Sequence, residues 1–247
     1  MSEKRNSATR VRGVLVLATQ QPDNAVTIDV WLKTFGLSKN QSRHIDFITV
    51  TQKIQLLLLE LDFIREHMRN NNIRPSTYEP ALLKIQNAIT PEIFHAGWIS
   101  GKQQLAPDVM VALDFFVDLM PDEEAEISLD DFKSIHEEIN DLETILEKSD
   151  ISDHLKATIK QYIQAIRLAL DEYPIAGAKA LKKASQRFVG EVIEAQVELK
   201  EAQDSPAVKK FAAVWKRVNV VADAVIKAEK LGNIGQKALD YIQQLMN

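Results

Sequence analysis

Residues 128–146 read SLDDFKSIHEEINDLETIL, with apolar side chains recurring every three or four residues. The apolar positions are Phe132, Ile135, Ile139, Leu142 and Leu146. This spacing lays one apolar stripe along a helix, as in the seams of coiled coils. Ser128, followed three residues later by Asp131, resembles a capping box that starts such a helix. The stretch therefore predicts a long amphipathic helix that packs against other helices.

The same spacing returns in four later segments, which are separated by polar or proline-containing breaks. Its positions are Leu155, Ile159, Tyr162, Ile166, Ala169 and Tyr173; then Ala178, Leu181, Ser185, Phe188, Val192, Ala195 and Leu199; then Val208, Phe211, Trp215, Val218, Ala222 and Val225; and finally Ile234, Ala238, Leu239, Ile242 and Leu245. The short turn at residues 149–152 predicts an antiparallel hairpin, while Pro174 and Pro206 predict breaks. We predict an all-α fold, with an elongated antiparallel bundle and a coiled-coil-like hairpin in this half.

Residues 41–69 form the longest predicted helix of the N-terminal half. Its apolar side chains fall on one face at Ile54, Leu57, Leu58, Leu61 and Ile64, and on another at Leu56, Leu59 and Phe63. A helix that is apolar on nearly every side must be covered on nearly every side. We therefore place it at the centre of a smaller N-terminal helical domain, with shorter helices near residues 27–35, 78–89, 91–98 and 107–120.

Composition along the chain predicts four parts. Residues 1–12 are polar and basic, which indicates a flexible tail, and residues 13–120 form the N-terminal helical domain. Within that domain, residues 13–17 (GVLVL) are compatible with a short strand or an extended arm. A proline and a cluster of acids indicate an acidic linker at residues 121–127. The C-terminal bundle occupies residues 128–247.

The overall composition is that of an ordinary globular protein with long helices. The 247 residues include eight Gly, eight Pro and no Cys, so disulfides, thiolate catalysis and thiolate metal sites are excluded. The longest apolar run, residues 56–59, is far shorter than the roughly 18 residues that a membrane span needs. The first residues also make a poor signal peptide. A soluble cytoplasmic protein is the expected class.

Motifs that carry chemistry are not evident in the sequence. No glycine-rich phosphate loop occurs, and GWISG at residues 97–101 lacks the spacing of a nucleophile elbow. Glu92 and His95 share a helical face, yet a helical di-metal site needs a second such pair. We expect no catalytic residues, no metal and no cofactor. An enzyme whose site assembles from distant residues remains an alternative.

The most uneven feature is the charge of residues 108–150, which contain fifteen acidic residues and only two lysines. Three interpretations are open: a solvated helix face, a surface that docks a basic partner, or internal pairing with the basic residues of the C-terminal helices. Candidates for that pairing are Lys179, Lys182, Lys183 and Arg187, or Lys209, Lys210, Lys216 and Arg217. The predicted partner-binding residues are Asp122, Glu123, Glu124, Glu126, Asp130, Asp131, Glu137, Glu138 and Asp141.

A second candidate surface lies on the basic helix near residue 215, where an aromatic residue sits among cations, as in membrane-interfacial helices. Its members are Lys209, Lys210, Trp215, Lys216 and Arg217. The competing interpretation is that Trp215 belongs to the core, since it falls in the apolar register. Nucleic-acid binding is not expected, because the net charge is −5 and stacking aromatics are not interleaved with the cations.

These observations favour a non-enzymatic helical module that binds a basic protein through its acidic surface. A bacterial immunity or antitoxin-like inhibitor, or a defence-system component, is the predicted class, because nuclease toxins are basic in order to meet phosphate. A membrane-acting effector using the C-terminal helices is the main alternative. Self-association is also expected, since exposed apolar faces invite a second copy.

Overall fold

The computed structural model of the chain describes residues 4–125 and 127–225, and within them it contains eleven α-helices. They are α1 (Ser7–Thr19), α2 (Thr27–Thr34), α3 (Arg43–Asn70), α4 (Pro75–Ile89), α5 (Ile99–Gln104), α6 (Pro107–Leu119), α7 (Leu129–Glu147), α8 (Asp153–Ala176), α9 (Lys179–Glu194), α10 (Gln196–Glu201) and α11 (Pro206–Val225). The predicted all-α fold is confirmed. The closing helix predicted around Ile234–Leu245 lies outside the described residues.

The helices form two compact units. Unit 1 runs up to Glu123 and includes Pro174–Ala176 from the end of α8, whereas unit 2 comprises Glu124–Tyr173 and continues from Gly177. Sequence composition gave no sign that three residues so late in the chain would belong to the first unit, because such membership depends on long-range contacts.

Unit 1 is built around a ring of four helices. Helix α1 packs against α3 and α6, and α4 packs against the same two, so that α3 and α6 lie diagonally opposite. Helix α2 covers α1 and α3, and α5 packs on α4. The interior is filled by aliphatic and aromatic side chains, among them Trp31 and Trp98, whose rings meet edge to face at 5.4 Å. This packing buries one face of each ring helix.

Helix α3 is not covered on every side, which corrects the sequence prediction. Leu57, Leu61 and Ile64 are fully buried, but Leu59 and Phe63 remain half-exposed. Within the described residues, α3 packs mainly against α1, α2 and α4, and the side that carries Leu59 and Phe63 is only partly covered. Its apolar content therefore overstates how far the helix is buried.

The N-terminal segment is helical from Ser7 onward, so the predictions of a flexible tail to residue 12 and of a strand or extended arm at 13–17 are wrong. Asn6 caps α1, and its side chain accepts a hydrogen bond from the Thr9 N–H. The buried residues Ala8, Val11, Leu15 and Ala18 follow the helical interval of three and four. The alternating valines and leucines that follow Gly13 obscured this period.

Within the described residues, unit 2 buries most of the apolar positions that the sequence predicted. Ile135, Ile139, Leu142 and Leu146 are all buried on α7, which packs against α11, and α11 also packs against α9. Helices α7 and α8 make side-chain contacts in antiparallel order. Near one end the Ile127 N–H donates to the Tyr173 hydroxyl, and further along Arg167 donates to Asn140 and Glu143.

Two predicted helix boundaries differ in the structure. Helix α8 continues through Pro174 and ends at Gly177, whose φ of 66° lies in the left-handed region. The apolar segment that follows is divided at Ala195, which separates α9 from the short α10. Periodicity alone misses such a break, because Ala195 and Leu199 keep the apolar interval across it and are both buried.

The core of unit 2 contains an aromatic cluster centred on Tyr162. The Tyr162 ring stacks on Trp215 at 5.1 Å and meets Phe211 and Phe188 edge to face at 5.2 and 5.4 Å. The Tyr162 hydroxyl and the Ser185 hydroxyl are both buried without a hydrogen-bond partner among the described residues. Burial raises the pKa of Tyr162, and the nearby Ser185 hydroxyl, though outside hydrogen-bond geometry, offsets only part of that effect.

We expect Tyr162→Phe to change the free energy of unfolding by less than about 1 kcal/mol near neutral pH, because the lost hydroxyl has no partner. The two proteins should diverge in alkali. An unfolded tyrosine ionises near pH 10, whereas the buried one stays protonated, so the wild type loses stability as the pH rises above about 10. Urea unfolding near neutral pH and above pH ~10 measures the free energy of unfolding at the two conditions. The decrease between them should be smaller for Tyr162→Phe than for the wild type.

A large stability loss in Tyr162→Phe would contradict this expectation. A loss of more than about 2 kcal/mol at neutral pH would indicate that the hydroxyl makes a hydrogen bond that stabilises the core.

Candidate functional site

The acidic stretch separates into three groups in the structure: buried carboxylates, carboxylates paired with basic residues, and carboxylates that face solvent. The predicted docking surface is therefore not one continuous patch. Glu126, another predicted partner-binding residue, lies outside the described residues.

Glu123 is buried in unit 1 and holds Arg10. The Arg10 guanidinium lies 2.9 Å from the Glu123 carboxylate and 2.5 Å from the Glu60 carboxylate, and all three side chains are almost fully buried. The Ser7 hydroxyl donates to Glu123 at 3.1 Å, and Arg10 Nε donates to the Ile175 carbonyl at 3.1 Å. Buried charges persist only with such partners, so this cluster fixes α1 against α3.

Glu124 is buried in unit 2 at the start of α9. Its carboxylate accepts a hydrogen bond of 2.6 Å from the Ala178 N–H, which is an otherwise unpaired donor at the helix N-terminus. Gly177 leaves the space for it, because a Cβ there would fall within 2.8 Å of the carboxyl carbon of Glu124. A negative charge at this end of a helix is stabilised by the helix dipole.

These contacts correct the sequence prediction for residues 122–124. Glu123 and Glu124 are buried, so the prediction that they belong to a docking surface is wrong. Asp122 accepts a hydrogen bond from the Arg5 N–H at 3.1 Å. At these two positions the expected acidic linker is replaced by buried contacts, those of Glu123 within unit 1 and those of Glu124 within unit 2. Partners that are distant along the chain decide the burial of Glu123 and Glu124, and the sequence pattern does not identify these partners.

Three carboxylates of α7 pair with basic residues of unit 2. Asp131 lies 2.7 Å from Arg217, Asp141 lies 3.4 Å from Lys210, and Glu143 lies 2.7 Å from Arg167. The interpretation that the acids pair internally is confirmed for Lys210 and Arg217. Lys209 instead contacts Asp204, which lies outside the acidic stretch.

The remaining acids of α7 face solvent. Glu137 is 66% exposed, and its nearest base is Lys133 on the same helix at 3.9 Å. Asp130 is exposed, Glu138 is partly exposed, and Asp141 stays 67% exposed despite its contact with Lys210. Such exposed pairs are weak and leave the carboxylate available. Asp130, Glu137, Glu138 and Asp141 are called the α7 acidic face below.

The second predicted surface, on α11, is wrong in its central residue. Trp215 is buried against Tyr162, as the competing core interpretation expected. Lys210 and Arg217 reach α7, whereas Lys209 and Lys216 are exposed. The aromatic anchor of an interfacial helix is thus absent from this face. Among the described residues, no helix combines the length and apolarity required to cross a membrane.

A constellation of serine, histidine and glutamate occurs in unit 2, although its order is not catalytic. Glu198 accepts from the Ser152 hydroxyl and contacts His154 Nδ1 at 2.8 Å, and the serine bond is the main reason that the pKa of Glu198 is lowered. In a nucleophilic triad the imidazole lies between the hydroxyl and the carboxylate. Here the carboxylate lies in the middle, and Ser152 caps α8 by accepting from the Leu155 N–H.

The metal site considered at Glu92 and His95 gains no support. Glu92 lies in a single 3₁₀ turn (Pro91–Ile93), so the helical spacing expected for the pair does not form. Within residues 4–125 and 127–225, no group of three or more potential metal ligands comes together.

The chain was also compared with known proteins. No family model, no curated protein and no solved structure matches it.

The two kinds of carboxylate predict different mutational effects. Arg10→Met removes the guanidinium that contacts both buried carboxylates, Glu60 and Glu123, so we expect a loss of roughly 3–5 kcal/mol. Asp141→Asn removes one exposed pair, and we expect a loss below about 1 kcal/mol. Hydrogen–deuterium exchange of α1 and α3, together with urea unfolding, measures the first effect. Equal losses for the two variants would contradict the assignment of a buried cluster.

Gly177→Ala tests the buried contact at Glu124. The substitution places a Cβ against the carboxylate and in a backbone region that L-residues rarely adopt, so we expect destabilisation of roughly 1–3 kcal/mol. Gly190→Ala is the matched control, because nothing lies within 4 Å of a Cβ at this mid-helix position and alanine favours helix. Thermal unfolding followed by circular dichroism separates the two. A stable Gly177→Ala protein would contradict the close approach.

Proposed function

We propose that the protein is a non-enzymatic helical binding module that docks a basic protein on the α7 acidic face. The observation that carries the proposal is the set of solvent-facing carboxylates on one helix of unit 2. Asp130, Glu137 and Asp141 follow one another at intervals of seven and four residues, or about 10 and 6 Å along the axis. They therefore form a row on one side of α7.

The charge of α7 supports a role in association. The helix carries seven acidic residues and one lysine, and only three of the seven acids are drawn to Arg167, Lys210 and Arg217. Clustered carboxylates raise the local negative potential, which accelerates and orients the approach of a basic partner. The apolar side of α7, with Ile135, Ile139 and Leu142, is buried in unit 2, so the outward row is presented on a fixed support.

The chemistry of the face suggests the class of partner. A row of carboxylates with little apolar surface between them recognises lysine and arginine side chains. Proteins that act on nucleic acids carry such side chains on the surface that meets phosphate. An inhibitor of the immunity or antitoxin type, which occupies that surface, is accordingly the biological role that we propose.

The test begins with a partner purified from the native host on the immobilised full chain. Association rates are then measured for the wild type and for a Glu137→Lys/Glu138→Lys variant over a series of salt concentrations. We expect the association rate of the wild type to fall steeply with salt, and the variant to associate at least about 10-fold more slowly at low salt. Circular dichroism checks that both proteins are equally helical.

A matched control separates the local effect from the change in net charge. Glu191→Lys/Glu194→Lys alters the net charge equally, on two exposed positions of α9. This control should retain most of the association rate. If the two variants slow association equally, or if binding is indifferent to salt, the α7 acidic face is not the docking surface.

A further inference from the structure

Helix α6 carries an apolar ridge on its outer side. Val111, Phe115 and Leu119 are 67%, 50% and 36% exposed and follow one another at intervals of four residues. Because residues four apart lie above one another on a helix, the three side chains form one continuous row of about 12 Å. We call Val111, Phe115 and Leu119 the α6 ridge.

The α6 ridge is not needed for the core of unit 1. The opposite side of the same helix supplies Val109, Leu113 and Phe116, which are buried among α1 and α4. A helix that is apolar on both sides buries one side within its own unit and leaves the other available. Three large apolar side chains in a row exceed the isolated exposed residues that soluble proteins normally carry.

Each of the three acidic residues of α6 lies beside a basic residue. Asp108 contacts Lys84 at 2.6 Å at the N-terminal end of α6, and Asp114 contacts Arg12 near the middle. At the C-terminal end the Lys4 ammonium donates to the carbonyl of Asp118 at 2.6 Å, beside that acidic residue.

The equal number of acids and bases beside the α6 ridge bears on which kind of partner would bind it. A strongly basic or strongly acidic protein gains little electrostatic attraction from a border in which acids and bases are equal in number. A second copy of the chain, by contrast, meets no like-charge penalty, because each end of α6 presents one acid and one base.

We propose that the α6 ridge is a self-association surface that binds the α6 ridge of a second copy. In a two-fold antiparallel arrangement, Phe115 meets its counterpart at the centre, and Val111 of one copy meets Leu119 of the other. Ridges of residues four apart interdigitate at a crossing angle of about −50°. The opposed helix dipoles are also compatible with this arrangement.

Self-association at this surface goes beyond the proposed docking function and does not depend on it, because the residues involved belong to unit 1. Because the α6 ridge is apolar, self-association should persist at salt concentrations that weaken binding to the α7 acidic face. Failure of either proposal therefore leaves the other intact.

Analytical ultracentrifugation of the full chain over a concentration series tests the proposal. We expect a reversible species of twice the 27.9 kDa mass of the chain. Phe115→Lys should raise its dissociation constant at least about 10-fold, since a charge replaces the central apolar contact. Val197→Lys is the matched control, because Val197 is 68% exposed on α10 in unit 2, and it should leave the dissociation constant unchanged.

The arrangement can be checked with introduced cysteines, because the chain contains none of its own. A mixture of the Val111→Cys and Leu119→Cys proteins should form mixed disulfides more readily than either protein alone, as the antiparallel pairing requires. Val197→Cys should not cross-link beyond the rate of random collision.

Three results would overturn the proposal. The first is a chain that stays monomeric throughout the concentration series. The second is a dimer that Phe115→Lys and Val197→Lys affect equally. The third is a Val197→Cys protein that cross-links as readily as the mixture. A folded Phe115→Lys protein is verified by its circular dichroism spectrum, and the cysteine experiment stands even if that variant misfolds.

Discussion

Arg10 lies between Glu60 and Glu123 inside unit 1, and the position of the N-terminal helix depends on this arrangement. A carboxylate that leaves water must gain partners that replace water, and one guanidinium with five donors can serve two carboxylates at once. Glu124 meets the same requirement differently, with the backbone N–H of Ala178. Adjacent residues of one acidic stretch are thus committed to two separate units, and neither can serve as part of a surface.

The same requirement explains which acids stay available. On α7, Asp131 and Glu143 pair with Arg217 and Arg167 and contribute to packing, whereas Asp141 contacts Lys210 and still keeps most of its surface in water. The carboxylates on the outer side keep their hydration and remain a source of negative potential. The charge of this helix is consequently divided between holding its neighbours and facing solvent, and our proposed function concerns only the second part.

The two proposed surfaces differ in their physical character. The α7 acidic face acts through long-range attraction, which salt screens and which mainly affects the rate of association. The α6 ridge acts through the removal of apolar surface from water, which depends weakly on salt and mainly affects the lifetime of a complex. A chain with both could dimerise through one unit and bind a partner through the other.

The sequence by itself determined the helical class and most of the core. Helical periodicity is a local property, so residues such as Ile135, Ile139 and Trp215 could be assigned to the interior from their spacing alone. Only the tertiary structure decided which acids are buried, since the partners of Glu123 lie more than fifty residues away along the chain. Among the described residues, it also decided that Leu59 on α3 and Val111 on α6 stay largely exposed although they are apolar. Coverage depends on which helices become neighbours, and a pattern along one helix contains no information about them.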